Sequence, residues 1–410
     1  MKWDTFLWNI YLLKRYENIQ NPRLSHWHQI CKNKNPTILS GIFLRKYPLF
    51  IALLLLSMSN LIFILTSLIV TTILTISIMP FCIRLFTKLN LGKNIRSEWL
   101  MGKAVEFSEL HAWKKGTPTM GGIIIIWVVI FIILLSVLAQ YYGNNLSNIF
   151  GISFKYSLWN RRETYVVIFT LISVGIIGFI DDYLNIREIW RTKWLSAKVK
   201  MILVIILAFL WAYWFYDKLW FSSITLPFYG HIELGMFYIL FFIFIFGATA
   251  NSVNITDGLD WLAWGLLLFQ FLAYGAITYF QGMFILSAFC LIIVGVLLGF
   301  LWFNIHPAQI FMWDTGSLAL GATLAVIAMM TDTIIAFIIM SSIFIGETLS
   351  VIIQMTSKKL RNGKKIFRIA PFHHHLEAIW WDEETIVMRF WLLGMILAIA
   401  GTVIALIGKI

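Results

Sequence analysis

Five aspartates and a run of three histidines are the residues through which this chain could do chemistry. Asp181 and Asp182 are adjacent in FIDDYLN, Asp257 and Asp260 fall in NITDGLD, and Asp314 stands in NIHPAQIFMWDTG. His373, His374 and His375 follow Pro371 in APFHHHLE. Asp181 and Asp182 end an apolar run, where a charge is costly and usually functional or partnered. Adjacent helical residues diverge by about 100°, so one Asp can face a site while its neighbour ties down a loop. Two solvated acids ending a helix are the plainer alternative. Asp257 and Asp260, at i and i+3, can share a helical face, and Asp257 is also placed to cap the next helix. Asp257, Asp260 and Asp314 lie in loops without Lys or Arg, which leaves them no local ion-pair partner. A hard cation such as Mg²⁺, arriving with a phosphorylated substrate, answers that electrostatic problem.

The histidines do not read as a zinc site, because three consecutive imidazoles cannot converge on one small ion and no Cys accompanies them. Recognition of a phosphate or base by one or two of them fits better. In HAWKKGTPTMGG, Thr117, Thr119, Gly121 and Gly122 form a hydroxyl-bearing turn. Its backbone N–H groups, at a helix start, are placed to meet an anion. The glycine spacing matches neither a dinucleotide fingerprint nor a phosphate loop, which argues against a soluble nucleotide-binding fold.

The elements that must hold these residues are membrane helices. The chain has 410 residues, 60% of them hydrophobic and only 13% charged, with a mean hydropathy of +0.82. Its apolar runs repeatedly reach the roughly 20 residues that cross a bilayer. The expected fold is all-α, a polytopic integral membrane protein of about ten transmembrane helices. The spans are placed near 62–86, 119–141, 164–182, 199–217, 234–250, 261–278, 284–302, 316–330, 332–356 and 386–408. Loops following odd-numbered spans share one side and carry 17 Lys and Arg, against five on the other side. By the positive-inside rule the richer side is cytoplasmic. Every motif above belongs to one of those loops, so all can converge on that face. The net charge of +12 is thereby read as topology rather than as a nucleic-acid surface, and the basic loops also suit anionic membrane lipids. Cys31, Cys82 and Cys290 show no metal or redox spacing. The first 48 residues hold eight Lys and Arg and no cleavable-signal pattern, and an interfacial segment is expected before the first span.

Taken in order, HxxKxGTPTMGG, GFIDDY, NxVNxTDGLD, LWFNxHPAxxFMxDTGSLALG and FRxAPxHHHxE resemble the phospho-N-acetylmuramoyl-pentapeptide transferases of the polyprenyl-phosphate hexose-1-phosphate transferase superfamily. The resemblance runs from about Lys93 to Arg389. It implies ten transmembrane helices in the bacterial inner (plasma) membrane with a cytoplasmic active site. It also implies transfer of phospho-MurNAc-pentapeptide from UDP-MurNAc-pentapeptide to undecaprenyl phosphate, giving lipid I and UMP with Mg²⁺ required. By resemblance, Asp314 binds Mg²⁺, Asp181 deprotonates the lipid phosphate or acts as nucleophile, and Asp182 belongs to the same catalytic pair. Asn254, Asp257, Gly258, Leu259 and Asp260 line the nucleoside pocket. Lys114, Thr119, Asn304, Phe311, Gln354, His373, His374 and His375 complete the substrate surface. Residues 1–48 are then a basic extension and 49–410 the transmembrane transferase domain, with a homodimer among the states allowed. A related transferase with another UDP sugar would share the acidic motifs, but GTPTMGG and the HHH loop favour the muramoyl-pentapeptide enzyme. A transporter or non-catalytic homologue would set its ionisable residues at the midplane; here only Glu347 lies within a span away from the motif face.

Departures from the family pattern are concentrated in one residue type. DGLDGLAGG reads DGLDWLAWG, MGDTG reads MWDTG and KGLSA reads KWLSA, so Trp194, Trp261, Trp264 and Trp313 stand at family glycines, as does Trp380. Trp302 and Trp391 match tryptophans that the family carries. Random substitution would not choose one replacement each time, and glycine there permits backbone approach that an indole blocks. A gene whose UGA codons specify glycine, translated with UGA as tryptophan, would give this pattern. A decayed or repurposed homologue is the alternative. Separately, Asn185 replaces the lysine of DDxxK.

Overall fold

Helices start and stop close to where the apolar runs do. In the computed structural model, the residues described are 48–92, 98–99, 102–103, 116–143, 157–159, 162–187 and 197–408. The basic extension up to residue 47, Lys114 and Trp194 lie outside them. Twelve helices follow in order: α1 (Pro48–Lys88), α2 (Gly121–Tyr141), α3 (Arg162–Arg187), α4 (Ala197–Lys218), α5 (Phe237–Thr256), α6 (Leu262–Phe280), α7 (Phe284–Asn304), α8 (Trp313–Met330), α9 (Ile334–Met340), α10 (Ser342–Leu360), α11 (Phe372–Ala378) and α12 (Glu383–Ile407). A two-residue ladder, β1 (Glu98–Trp99) with β2 (Gly102–Lys103), follows α1. An antiparallel hairpin of β3 (Ser223–Leu226) and β4 (Gly230–Glu233) joins α4 to α5.

Among the described residues nine helices are long and apolar enough to cross a membrane. The remaining expected span, 332–356, is not one helix. It is the pair α9 and α10, bent by 69° at Ser341. A break inside a bilayer frees backbone carbonyls that need partners. Gln270 of α6 supplies one by donating from Nε2 to the Met340 carbonyl at 2.8 Å, and Ser341 Oγ donates to Gln270 Oε1 at 3.4 Å.

The core is organised around α8, which is almost wholly buried, whereas few of residues 60–88 of α1 are buried. Small residues make that centrality achievable, since TGSLALGATLA lets neighbouring backbones come close. A Cβ on Gly122 of α2 would lie 2.2 Å from the Gly316 nitrogen of α8, and one on Gly178 of α3 would lie 2.3 Å from the Asp314 carbonyl oxygen. These two crossings bring α2 and α3 against the first turn of α8, where Asp314 sits.

Helices also reach further into the motifs than the apolar runs imply. α3 continues to Arg187, so Asp181 and Asp182 lie within a helix rather than at its end. Asp314 belongs to the first turn of α8, not to a loop. Asp257 is the C-cap of α5, whereas the residue before α6 is Trp261, which makes no side-chain cap. At one end of the bundle lie the C-terminal ends of α3, α5, α7 and α10 and the N-terminal ends of α4, α6, α8 and α12. The β3–β4 hairpin is at the other end, where the Thr225 N–H donates to Asp332 Oδ1 at 2.9 Å.

Candidate active site

The last turns of α3 bring Asp181 and Asp182 to Asp314 in the first turn of α8, and a third helix supplies their cation. Lys200 of α4 ion-pairs with Asp181 Oδ2 at 2.6 Å and also with Asp314. The acids thus have a partner after all: it comes from a helix 114 positions away from Asp314 in sequence, not from their own loop. Asp182 diverges from its neighbour, as adjacent helical residues must. Its Oδ1 accepts the Asp314 N–H at 3.2 Å and its Oδ2 accepts the Thr315 N–H at 2.9 Å, which satisfies two of the free N–H groups opening α8. Asn254, grouped by resemblance with the nucleoside loop, reaches this cluster instead. Its Nδ2 donates to Asp314 Oδ1 at 2.7 Å and to Ser317 Oγ at 2.9 Å. Asn185, one turn beyond Asp181, is buried.

The loop carrying Asp257, Gly258, Leu259 and Asp260 is held from two sides. Asp260 Oδ2 pairs with His306 Nδ1 at 3.1 Å and accepts the Ala308 N–H at 3.2 Å. The Asp260 N–H donates to Glu383 Oε1 at 2.6 Å, and Glu384 of α12 lies 3.4 Å from His306 Nε2. Asn304 accepts the Trp261 N–H at 2.8 Å while donating to the Ile310 carbonyl at 2.6 Å. Asn304 is therefore a buried strut between loops. Leu259 is buried beneath the turn. Asp260, His306 and Glu383 present ligand atoms within 4.8 Å of one another, a group able to hold a metal ion.

The three histidines spread apart, as expected of consecutive residues. His373 is fully buried, with Nδ1 3.0 Å from Glu347 Oε2 and its backbone N–H on Glu347 Oε1 at 3.2 Å. The intramembrane Glu347 is thus paired. His373 Nε2 is buried without a hydrogen bond among the described residues and points at Gly258, where a Cβ would lie 2.3 Å from it. Only glycine leaves room for that approach. His374 Nδ1 pairs with Glu377 at 2.5 Å, and His375 Nδ1 accepts the Arg368 N–H at 3.2 Å. Gln354 fixes the preceding loop, accepting the N–H groups of Ile366 and Phe367 at 3.0 Å and donating to the Phe367 carbonyl at 2.7 Å.

The GTPTMGG turn is not an open anion nest. The Gly121 N–H is taken by the Phe311 carbonyl at 2.8 Å and the Gly122 N–H by the Met312 carbonyl at 3.3 Å. Thr119 is fully buried, with its hydroxyl on the Leu91 carbonyl at 3.1 Å. This segment buttresses the start of α8, and Phe311 closes the same strut by donating its N–H to Pro118 at 2.9 Å. Lys200, His306, Glu383 and Ser317 escape sequence reading. Lys200 looks like one more positive-inside lysine, and His306 like a lone loop histidine.

Residues 164–332 match the model of glycosyl transferase family 4, and residues 114–126 match the phospho-N-acetylmuramoyl-pentapeptide-transferase signature 1. A helical membrane bundle with an acidic site at one end is thus a family 4 glycosyl transferase. The chain is 42% identical over 324 residues to the phospho-N-acetylmuramoyl-pentapeptide-transferase of Clostridium novyi (strain NT), an alignment spanning 78% of this chain and 90% of the relative. Similar relatives of the same name occur in Geobacillus sp. (strain WCH70), at 36% identity over 82% of this chain and 95% of the relative, and in Thermodesulfovibrio yellowstonii, at 37% over 79% and 88%. The chain belongs to the phospho-N-acetylmuramoyl-pentapeptide-transferase family.

Proposed function

We infer that this chain transfers phospho-N-acetylmuramoyl-pentapeptide from its UDP carrier to undecaprenyl phosphate, forming lipid I and releasing UMP. The observation that carries the chemistry is the meeting of Asp181, Asp314 and Lys200 at the same end of the bundle as the Gly258–Asp260 loop and the histidines packed on it. Phosphoryl transfer depends mainly on in-line placement and charge neutralisation, and the charged groups gathered at this end support the second. Asp181 takes the lipid phosphate's proton, or attacks the sugar-linked phosphorus as UMP leaves. Asp182 positions rather than reacts, because its oxygens are occupied by the α8 backbone. The Asp257–Asp260 loop recognises the nucleoside, with Lys114, Phe311 and His374 as further contacts.

Asp314, with Asp181 beside it, is the residue pair we assign to Mg²⁺. The Lys200 ammonium shared by both carboxylates supports this reading, and two carboxylates suit a hard divalent ion. When bound, Mg²⁺ supplies charge neutralisation on the diphosphate. The Asp260–His306–Glu383 group suits it less, since one member is an imidazole. The 17-to-five Lys and Arg bias supports a cytoplasmic site in the bacterial inner membrane. Protein purified from its native membranes and given UDP-MurNAc-pentapeptide, undecaprenyl phosphate and Mg²⁺ is expected to release UMP. Preference for UDP-GlcNAc would support the related-transferase reading, and no UMP from either donor would reject both.

A further inference from the structure

Four tryptophans hold a backbone conformation that tryptophan rarely adopts. Trp220, Trp261, Trp313 and Trp380 have φ of 59°, 56°, 56° and 73°. The other non-glycine residues at positive φ among those described are Asn90, Met120, Phe228, Asp332 and Asn362, three of them the Asn and Asp types that tolerate this region. Tryptophan makes up 19 of 410 residues yet four of these nine, so composition does not account for the enrichment.

Each position has the geometry of a glycine. The Trp380 N–H bonds the Glu377 carbonyl at 2.9 Å and the Trp381 N–H bonds the Leu376 carbonyl at 3.1 Å, the paired bonds of a Schellman motif with Trp380 in its left-handed place. Trp220 sits where the chain turns off the end of α4, so that the Phe221 N–H reaches back to the Phe215 carbonyl at 3.2 Å. Trp261 and Trp313 lead into α6 and α8. The side chains do not compensate. Trp220 and Trp380 are 85% and 88% exposed, and although the Trp261 indole packs edge-on against Trp391 at 5.4 Å, its buried Nε1 has no hydrogen bond among the described residues. By contrast the Trp261 backbone is fully used: its N–H goes to Asn304 and its carbonyl accepts Trp391 Nε1 at 3.3 Å.

We propose that Trp220, Trp261, Trp313 and Trp380 are glycine in the functional polypeptide, encoded by UGA read as glycine. The codons GGA and UGA differ by one base, which explains why tryptophan is the residue that recurs. Trp220 lies in none of the family motifs and is identified by its φ alone, so it is independent of the resemblance that singled out the others. Trp264 is different, being helical, fully buried and stacked on Phe300 at 4.0 Å, and the conformational argument does not extend to it. Trp302 and Trp391, both within helices, serve as true tryptophans.

The inference does not depend on the transferase activity, and its test does not read activity. Peptide mass spectrometry of the protein from its native membranes should find glycine at 220, 261, 313 and 380 and tryptophan at 302 and 391. The gene should carry UGA at the first four and UGG at the last two. Native tryptophan at any of the four left-handed positions, or a UGG codon there, overturns the proposal.

Discussion

Lys200 of α4 and Asp314 of α8 form an ion pair across two helices, and the same ammonium reaches Asp181 of α3 at 2.6 Å. Removing the cation leaves two carboxylates facing one another in a mostly buried setting, where breaking a pair costs more than the pair contributes. Lys200→Met is therefore expected to lower the melting temperature in detergent. Mg²⁺ should restore more of it than it adds to the parent protein. A melting temperature of Lys200→Met indifferent to Mg²⁺ would place the metal elsewhere.

Asp314→Ala is expected to reduce UMP release by about two decades or more, the scale of losing a main electrostatic contributor. Chelating divalent metal should stop turnover of the parent protein and added Mg²⁺ should restore it. Undiminished turnover in chelator would sink the assignment of Asp314 as the metal ligand.

Sequence reading went far with the helices and less far with the site. Apolar length is a local property, so the spans could be located without contacts. The break at Ser341 could not, because what makes it tolerable is Gln270, 71 positions earlier on another helix. The carboxylates stand out as rare charges beside apolar runs. Lys200 does not, because positive-inside topology already accounts for a lysine there. His306 and Glu383 become visible only when α7 and α12 are brought to the same loop. Thr119 is buried with its hydroxyl on the Leu91 carbonyl, a tie between segments 28 positions apart that its residue type does not announce.

Asp181 and Asp182 should separate experimentally despite being neighbours. Asp182→Ala leaves the Asp314 and Thr315 N–H groups without their charged acceptor, a loss of about 1.5–3 kcal/mol in stability. Asp181→Asn leaves Lys200 its second partner, Asp314, so it should lower the unfolding midpoint less than Asp182→Ala while losing about two decades of UMP release. Equal destabilisation by both variants would remove the distinction between a positioning and a reacting carboxylate.

In the proposed reaction, His306 acts through Asp260 on the loop assigned to the nucleoside, not on the reacting phosphate. His306→Ala is expected to raise KM for the UDP donor about tenfold, equivalent to roughly 1.4 kcal/mol of binding, with kcat and the lipid KM changed far less. His306→Gln, which keeps a donor, should recover part of the loss. A fall in kcat with the donor KM unchanged would instead put His306 at the chemistry.

Membrane orientation can be checked at residues that the structure leaves accessible. His374 and Leu158 are both buried, so neither suits chemical labelling despite lying in opposite-facing loops. Asn362, exposed in the turn after α10, and Tyr229, 89% exposed at the tip of the β3–β4 hairpin, lie at opposite ends of the bundle. In a background with Cys31, Cys82 and Cys290 replaced, a cysteine at 362 should react with an impermeant maleimide only after the cytoplasmic side is opened. One at 229 should react in intact spheroplasts. That outcome follows from the 17-to-five charge bias together with the alternation of helix directions. The reverse labelling would put Asp181 and Asp314 on the outer face, where no cytoplasmic UDP-linked donor could reach them, and the proposed reaction would fall with it.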